Sequence, residues 1–335
     1  MGFMGITRHC AGFLIDARSS GVRFGRTLTI GHQLMFVSPK YAAGLLKQHK
    51  LWPAGLSDAQ VLMTLTQKPS WVDGWLKFLG AESVDVMDYS DFEGANVVHD
   101  LNKPLPDSLC DQYDVVIDSG TIEHVFDIKT VLSNYMKLVR PGGSLILMTV
   151  ANNFCGHGFY QYSPELFPRL FCKENGYELK RMVMAEDEVV VFRLAGLRAP
   201  ISFAGRAYDV VDPALVRDRV ELVNSRQTVI MILAVKQRTV PLFTCAPQQS
   251  DYAAVWQRGT TSGELPGETG LKARLRTFFN SLSAGTFLEL QHTWLPGIMR
   301  FGRWLLPKRG FGYSSFGNRR FYQRVRRVPP GNARS

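Results

Sequence analysis

"DVVIDSGTIEHVFDIKTVLSNYMKLVRPGGSLILMTV", residues 114–150, carries the reading of the fold. Residues 113–120 form a continuous apolar run that ends in a turn, the pattern of a strand covered on both faces. Residues 128–139 then place apolar side chains at helical spacing. Pro141 and Gly142 of the RPGG that follows stop that helix on steric grounds. "SLILMTV" (144–150) is a second buried strand, so the stretch reads as strand, helix, strand.

The same alternation extends in both directions. "RTLTIGHQLMF" (26–36) is a strand that enters a turn at Gly31. Helical patterns follow at about 40–49, 57–65 and 70–79, and strands at 83–88 and 95–100. Beyond residue 150 the spacing predicts one helix over 163–176, opened by a Ser cap and a Pro and closed by a Gly. Further strands are expected at about 177–184, 188–194 and 228–236. Strands alternating with helices imply a doubly wound, mostly parallel Rossmann-like α/β sheet. The helical stretch of about 40–80 is longer than an ordinary crossover and reads as an insertion. The chain divides into an N-terminal segment (1–25), an α/β domain (26–240), a turn-rich linker or wrap (241–270) and a C-terminal extension (271–335).

Composition limits the alternatives. With 335 residues, 45% hydrophobic and 20% charged, the chain is long enough to bury a large core. Its apolar runs fall far short of the roughly 20 residues of a membrane-spanning helix. Arg8 and Asp16 interrupt the apolar core that a signal peptide would need. Five cysteines, none in a CxxC pair, make neither a disulfide framework nor a zinc site. A cytoplasmic protein is expected. The net charge of +10 is concentrated in residues 271–335, which hold 13 Lys or Arg and one acid.

Ligands of open parallel sheets bind beyond the carboxyl ends of the strands. That edge collects Gly31, His32 and Gln33, then Asp88, then Asp100 and Asn102. It also collects Asp118, Ser119, Gly120, Glu123 and His124, and finally Asn152, Asn153 and "GHGFYQY". With this order and spacing, residues 26–184 resemble the class I S-adenosylmethionine-dependent methyltransferases, most specifically over 114–150 with its E-H-V and R-P-G-G. "DLNKPLP" (100–106) is similar to that family's acidic turn. "NNFCGHGFYQYSPELF" resembles a loop of bacterial members near sugar and polysaccharide pathways. The resemblance implies S-adenosyl-L-methionine as cofactor. It implies that Asp88 binds the ribose hydroxyls and that Asp100 and Leu101 flank the adenine. Asp118 and Ser119 would then lie near the methionine part, and Glu123 does structural or cofactor-side work at the helix N-terminus, where negative charge is favoured.

The first motif departs from the family. Thr29 stands where an acid is usual, and of the glycines only Gly31 is present. Either His32 and Gln33 bond the cofactor's carboxylate in place of backbone amides, or the cleft is blocked and the fold serves as a scaffold.

For transfer to a hydroxyl, the enzyme aligns the partners and removes a proton. His157, between Gly156 and Gly158, is the first candidate base; the bland alternative is that it caps a carbonyl. His124 is a weaker candidate with a structural reading beside it, and Asp118 is either base or cofactor contact. Asn152 and Asn153 either orient the acceptor or satisfy turn backbone. Trp52, Trp71 and Trp75 are lid or core residues. His99–Asp100 is too isolated for a metal site, and no metal is expected. The sequence thus points to O-methylation of a small-molecule or glycan-type acceptor. A cofactor-free scaffold and an RNA methyltransferase are the rivals. The arginines and aromatics of the extension suit an anionic membrane surface, making the protein peripheral to the inner face of the membrane, somewhat better than RNA.

Overall fold

The computed structural model describes residues 5–66, 70–194, 197–216, 219–257 and 315–325. Helix α1 (Arg8–Ser19) is capped by the Thr7 hydroxyl, which accepts from the Cys10 amide. Strand β1 (Gly25–Ile30) follows. Three helices then intervene: α2 (Pro39–Gln48), with Ser38 as cap and proline at its start, α3 (Asp58–Leu65), opened by a Ser57–Gln60 capping box, and α4 (Asp73–Phe78). Strands β2 (Ala81–Asp88), β3 (Val97–Val98) and β4 (Tyr113–Ser119) come next. Helix α5 (Ile128–Leu138), capped by Asp127, runs directly into β5 (Val139–Asn152). The remaining elements are α6 (Leu166–Leu170), β6 (Tyr177–Leu194), β7 (Leu197–Val210), α7 (Pro213–Val216), β8 (Thr228–Lys236), α8 (Ser250–Gln257) and β9 (Tyr322–Arg324).

The strands form one sheet in the order β3-β2-β1-β4-β5-β8-β6-β7-β9. Pairs among β1 to β5 are parallel, whereas β8, β6, β7 and β9 pair antiparallel. The order reverses between β1 and β4, which makes the carboxyl ends of these two strands the switch point of the sheet.

Alternate residues of the central strands enter opposite cores. Val116, Leu145, Leu147, Ile230 and Ile232 pack with α5, and Val115, Ile117, Ile146, Met148 and Met231 pack with α1, α2 and α4. Helix α1 is therefore an integral layer of the domain. Trp75 is a core residue of that layer, while Trp52 lies under the Lys47 ammonium and Trp71 under the His32 ring.

Several expectations change. The expected mostly parallel core is present, and the sheet is mixed: β8 and β7 run against the other strands. The single helix predicted over 163–176 is the short α6 followed by a 3-10 turn at Lys173–Asn175. Pro168 supplies no amide inside it, and the Asn175 side chain bonds the Leu170 carbonyl and ends it. The strands expected at 177–184 and 188–194 are one strand, β6, which forms a hairpin with the unforeseen β7. Pro200 and Gly205 hide β7 in the sequence, since both argue against a strand interior. Of the basic extension, residues 315–325 are described. Phe316, Phe321 and Tyr322 there are buried against the sheet, so these aromatics serve packing rather than stacking on a ligand or membrane. The rest of the extension lies outside the described residues. Among the described residues, no helix is long and apolar enough to cross a membrane.

One buried cation holds the opposite edge. Lys236 Nζ, 3% exposed, donates to Asp111 Oδ1 (2.6 Å) and to the Met136 carbonyl (3.0 Å). Asp111→Ala would leave this ammonium without its counter-charge. Since Asp111 itself is over a third exposed, the loss is expected to be about 2 kcal/mol rather than the full value of a dry pair. Lys236→Met should stay within about 1 kcal/mol of the parent protein in urea unfolding, because packing replaces the pair.

Candidate functional site at the switch point

The turn after β1 is closed by side chains. Gly31 adopts φ +71°, and its amide donates to the Met87 carbonyl at 2.7 Å. A Cβ at Gly31 would sit 3.2 Å from Thr121 Oγ1 and 3.3 Å from Gln33 Nε2, so this position has little room for a side chain. Both of those groups donate to the Ile30 carbonyl, Gln33 Nε2 at 2.5 Å and Thr121 Oγ1 at 3.0 Å. Gln33 is thus buried and folded back over the end of β1. His32 stacks on Trp71, with centroids 3.8 Å apart, and its ring nitrogens meet Glu93 O (2.7 Å) and Asp73 Oδ2 (3.0 Å). Both His32 and Gln33 are thus engaged by the protein, so a grip on a carboxylate would exchange these bonds for others. Thr29, in the acidic residue's place, is buried with Oγ1 3.5 Å from the Asp85 carbonyl.

The next two strand tips are more open. Asp88 is half-buried, and its Oδ1 accepts from the Tyr89 amide at 2.6 Å. Among the described residues nothing bonds its other oxygen. Asp100 Oδ1 accepts from the Asn102 amide (3.0 Å) and side chain (3.2 Å), with Lys103 Nζ 3.6 Å from Oδ2. The Asn102 donors, together with Lys103, hold this carboxyl below the usual range. Leu101 is buried beside it.

Asp118 and Ser119 are corrected as site residues. Asp118 is fully buried; its two oxygens accept from the amides of Thr121 (2.8 Å) and Ile122 (2.9 Å) and from the Tyr135 hydroxyl (3.0 Å). It caps the turn rather than facing a ligand. Burial, and then the nearby Glu123 carboxylate, push its pKa up to about 7 against the lowering effect of those donors. Ser119 Oγ donates to the Gly5 carbonyl at 3.1 Å, beneath the N-terminal strand-like bridge of Ile6 with Met35.

The remaining candidates converge. Residues Ile122–His124 form a 3-10 turn, and the loop after β5 is fastened onto it. The Phe159 amide donates to the Glu123 carbonyl (2.7 Å), Tyr160 Oη to Phe126 O (2.7 Å) and Tyr162 Oη to Ile122 O (3.2 Å). A Cβ on Gly158, at φ +71°, would lie 2.6 Å from that same Glu123 carbonyl, so the close approach requires glycine. The Glu123 carboxylate is wholly buried. Its Oε2 accepts from Thr149 Oγ1 at 2.8 Å, while Oε1 makes no hydrogen bond and lies 3.5 Å from His157 Nε2. His157 Nε2 is likewise buried and unbonded. The exposed His124 ring meets the His157 ring edge-on, 4.9 Å between centroids. Ligand atoms of the three residues lie within 4.8 Å of one another, an arrangement able to hold a metal ion.

Asn152 and Asn153 bond Asn224 and nearby carbonyls, so they fasten the loop after β5. Thr149 and Tyr135 were not foreseen. The only trace of Thr149 in the sequence is one hydroxyl in the apolar "SLILMTV", and Tyr135 sits on the apolar face of its helix like any core aromatic.

No protein-family model matches the sequence, and no curated protein is similar to it. Solved structures are similar in part. One is the trans-methyltransferase CalH in complex with SAH, 15% identical over 68% of this chain and 55% of that one, with a TM-score of 0.34. Another is a SAM-dependent methyltransferase from Thermotoga maritima, 15% identical over 69% and 90%, with a TM-score of 0.28. A third is the branched-chain polyamine synthase from Thermus thermophilus, 13% identical over 74% and 61%, with a TM-score of 0.37. Likeness at this level transfers no residue role. The strand order and the switch point are those of a doubly wound, Rossmann-like α/β sheet.

The residues fit the nucleoside half of S-adenosylmethionine. A half-buried carboxylate with one uncommitted oxygen ends β2, and Asp100 with buried Leu101 follows β3. On the methionine half, the lining differs from the bare glycine turn that the resemblance implies, because Gln33 covers it.

Asp118→Asn tests the cap. The folded pKa near 7 lies above the ordinary value of 3.8, so protonated Asp118 stabilises the fold at low pH. That contribution fades as pH rises from about 4 to 7. The variant loses an acceptor and should melt lower than the parent. The gap between the two melting temperatures should be largest near pH 4 and narrow by pH 8.

Proposed function

We propose that the protein is an S-adenosylmethionine-dependent methyltransferase that modifies oxygen on a small-molecule or glycan-type acceptor. One observation carries this reading: the buried Glu123 Oε1 and His157 Nε2 face each other without a hydrogen bond beside the switch point. The large majority of buried side-chain polar atoms are hydrogen-bonded, so two facing atoms that are not suit a site kept for chemistry.

The cofactor supplies a methyl group already activated on a positive sulfur. The protein's share is to orient the acceptor hydroxyl and dispose of its proton. In this reading Asp88 holds the ribose hydroxyls, and Asp100 with Leu101 borders the adenine. The acceptor lies against Glu123, His124 and His157. The loop after β5 presents His157 in a fixed position, because Phe159, Tyr160 and Tyr162 fasten it to the turn below. Thr149 orients Glu123 from the sheet side.

A second reading rests on Gln33. Its amide covers the β1 turn, as expected of a scaffold that has given up the cofactor. Calorimetry with S-adenosylmethionine and S-adenosylhomocysteine separates the two. The enzyme reading expects saturable binding at one site per chain, with Asp88→Ala weakening it by about 1–3 kcal/mol. No binding by either compound supports the scaffold. Binding unchanged in Asp88→Ala places the nucleoside elsewhere.

A further inference from the structure

We infer that Glu123, His124 and His157 bind a divalent first-row metal ion, of the Zn2+, Co2+ or Mn2+ kind, whose open positions receive the acceptor oxygen. The role of the ion toward the acceptor rests on the methyltransferase reading; the metal site itself does not.

The donor set is the first argument. Two imidazoles and one carboxylate suit zinc and the first-row metals, whereas Mg2+ and Ca2+ prefer oxygen ligands. The three ligand atoms lie within 4.8 Å of one another, close enough to reach one common centre. The second argument is the uncommitted pair. Glu123 is 0% exposed, and its Oε1 is aimed at His157 Nε2 at 3.5 Å with no hydrogen bond to either atom. A shared cation gives both atoms a partner at once. The third argument is the support around the ligands. Thr149 holds the other carboxylate oxygen at 2.8 Å, as outer-shell groups do in metal sites. The Phe159 amide and the packed Gly158 fix the His157 loop onto the Glu123 backbone.

Three protein ligands leave coordination positions vacant, the hallmark of a catalytic rather than a structural site. An acceptor hydroxyl bound there gives up its proton to solvent more readily, since the ion stabilises the oxyanion. His124 is the exposed ligand and opens the site to that acceptor.

The test uses the full chain, stripped with a chelator and titrated with Co2+ while its visible absorption is followed, with Zn2+ then added as competitor. The expected result is one Co2+ per chain with ligand-field bands, displaced by one Zn2+. His157→Ala and Glu123→Gln should each weaken Co2+ binding at least tenfold. His124→Ala should weaken it as well, and Zn2+ should raise the melting temperature of the parent but not of His157→Ala. The exposed Cys155 thiol is the nearby competitor for metal, so Cys155→Ser must bind like the parent. Because Glu123 is buried, its variant is compared only if its chelated form melts cooperatively; the partly exposed His157 carries the conclusion otherwise. No stoichiometric Co2+ binding, or binding lost in Cys155→Ser and retained in His157→Ala, overturns the site. Metal binding without S-adenosylmethionine binding upholds the site and removes the methyltransferase reading. Cofactor binding without metal binding does the reverse.

Discussion

The turn that follows β4 depends on one carboxylate. At the end of that strand the backbone leaves the sheet, and the amides of Thr121 and Ile122 point inward with no strand to receive them. Asp118 accepts both, and Tyr135 from α5 donates to the same group. Strand, turn and helix are thereby tied at a single point. The Glu123 carbonyl is then placed to receive the Phe159 amide, and the Glu123 side chain is directed inward to Thr149. The geometry of the whole His157 loop is inherited from that cap. Loss of the cap therefore acts on the site by displacement as well as on stability.

Placing two carboxylates, Asp118 and Glu123, in one buried region has a cost. The elevated pKa of Asp118 records it: burial and the second acid together outweigh three donors. The cap accounts for Asp118, but Glu123 bonds through one oxygen only, so its burial is the part that packing leaves unexplained. A cation at the Glu123 cluster relieves the repulsion directly. It adds positive charge beside the acid whose partner oxygen is otherwise bare.

Much of this was legible in the sequence. The run 114–150 fixes β4, α5 and β5 through periodicity and the RPGG stop, and the structure places those elements within a few residues. Ser38, Ser57 and Asp127 cap α2, α3 and α5 in the structure, local chemistry that the periodicity alone did not use. In the outer half of the sheet, β8 was legible as the apolar run 228–236 and β6 in two pieces, but β7 was not, because it contains a proline and a glycine and its partner β9 lies over a hundred residues away. At the site, residue type identified Glu123, His124 and His157 one by one. Their convergence was hidden, since His157 is brought to the other two by long-range backbone bonds that no spacing encodes. Asp118 misled for a related reason: a carboxylate at a strand tip reads the same whether it faces a ligand or caps its own turn.

The altered first motif bears on function through an energy balance. A glycine turn offers fixed backbone, whereas Gln33 offers a side chain that rotates. What holds its amide over the turn is a 2.5 Å bond to the Ile30 carbonyl, a neutral acceptor. Such a bond contributes about 0.5–1.5 kcal/mol net, while a bond from the same amide to a ligand carboxylate contributes about 1.5–3 kcal/mol. The exchange favours the ligand, so the covering amide is a weaker barrier than its burial suggests. His32 is different. A stacked Trp71, the Asp73 carboxylate and the Glu93 carbonyl hold it together, and moving it would break all three contacts. Gln33 is thus the adjustable part of the turn and His32 its anchor.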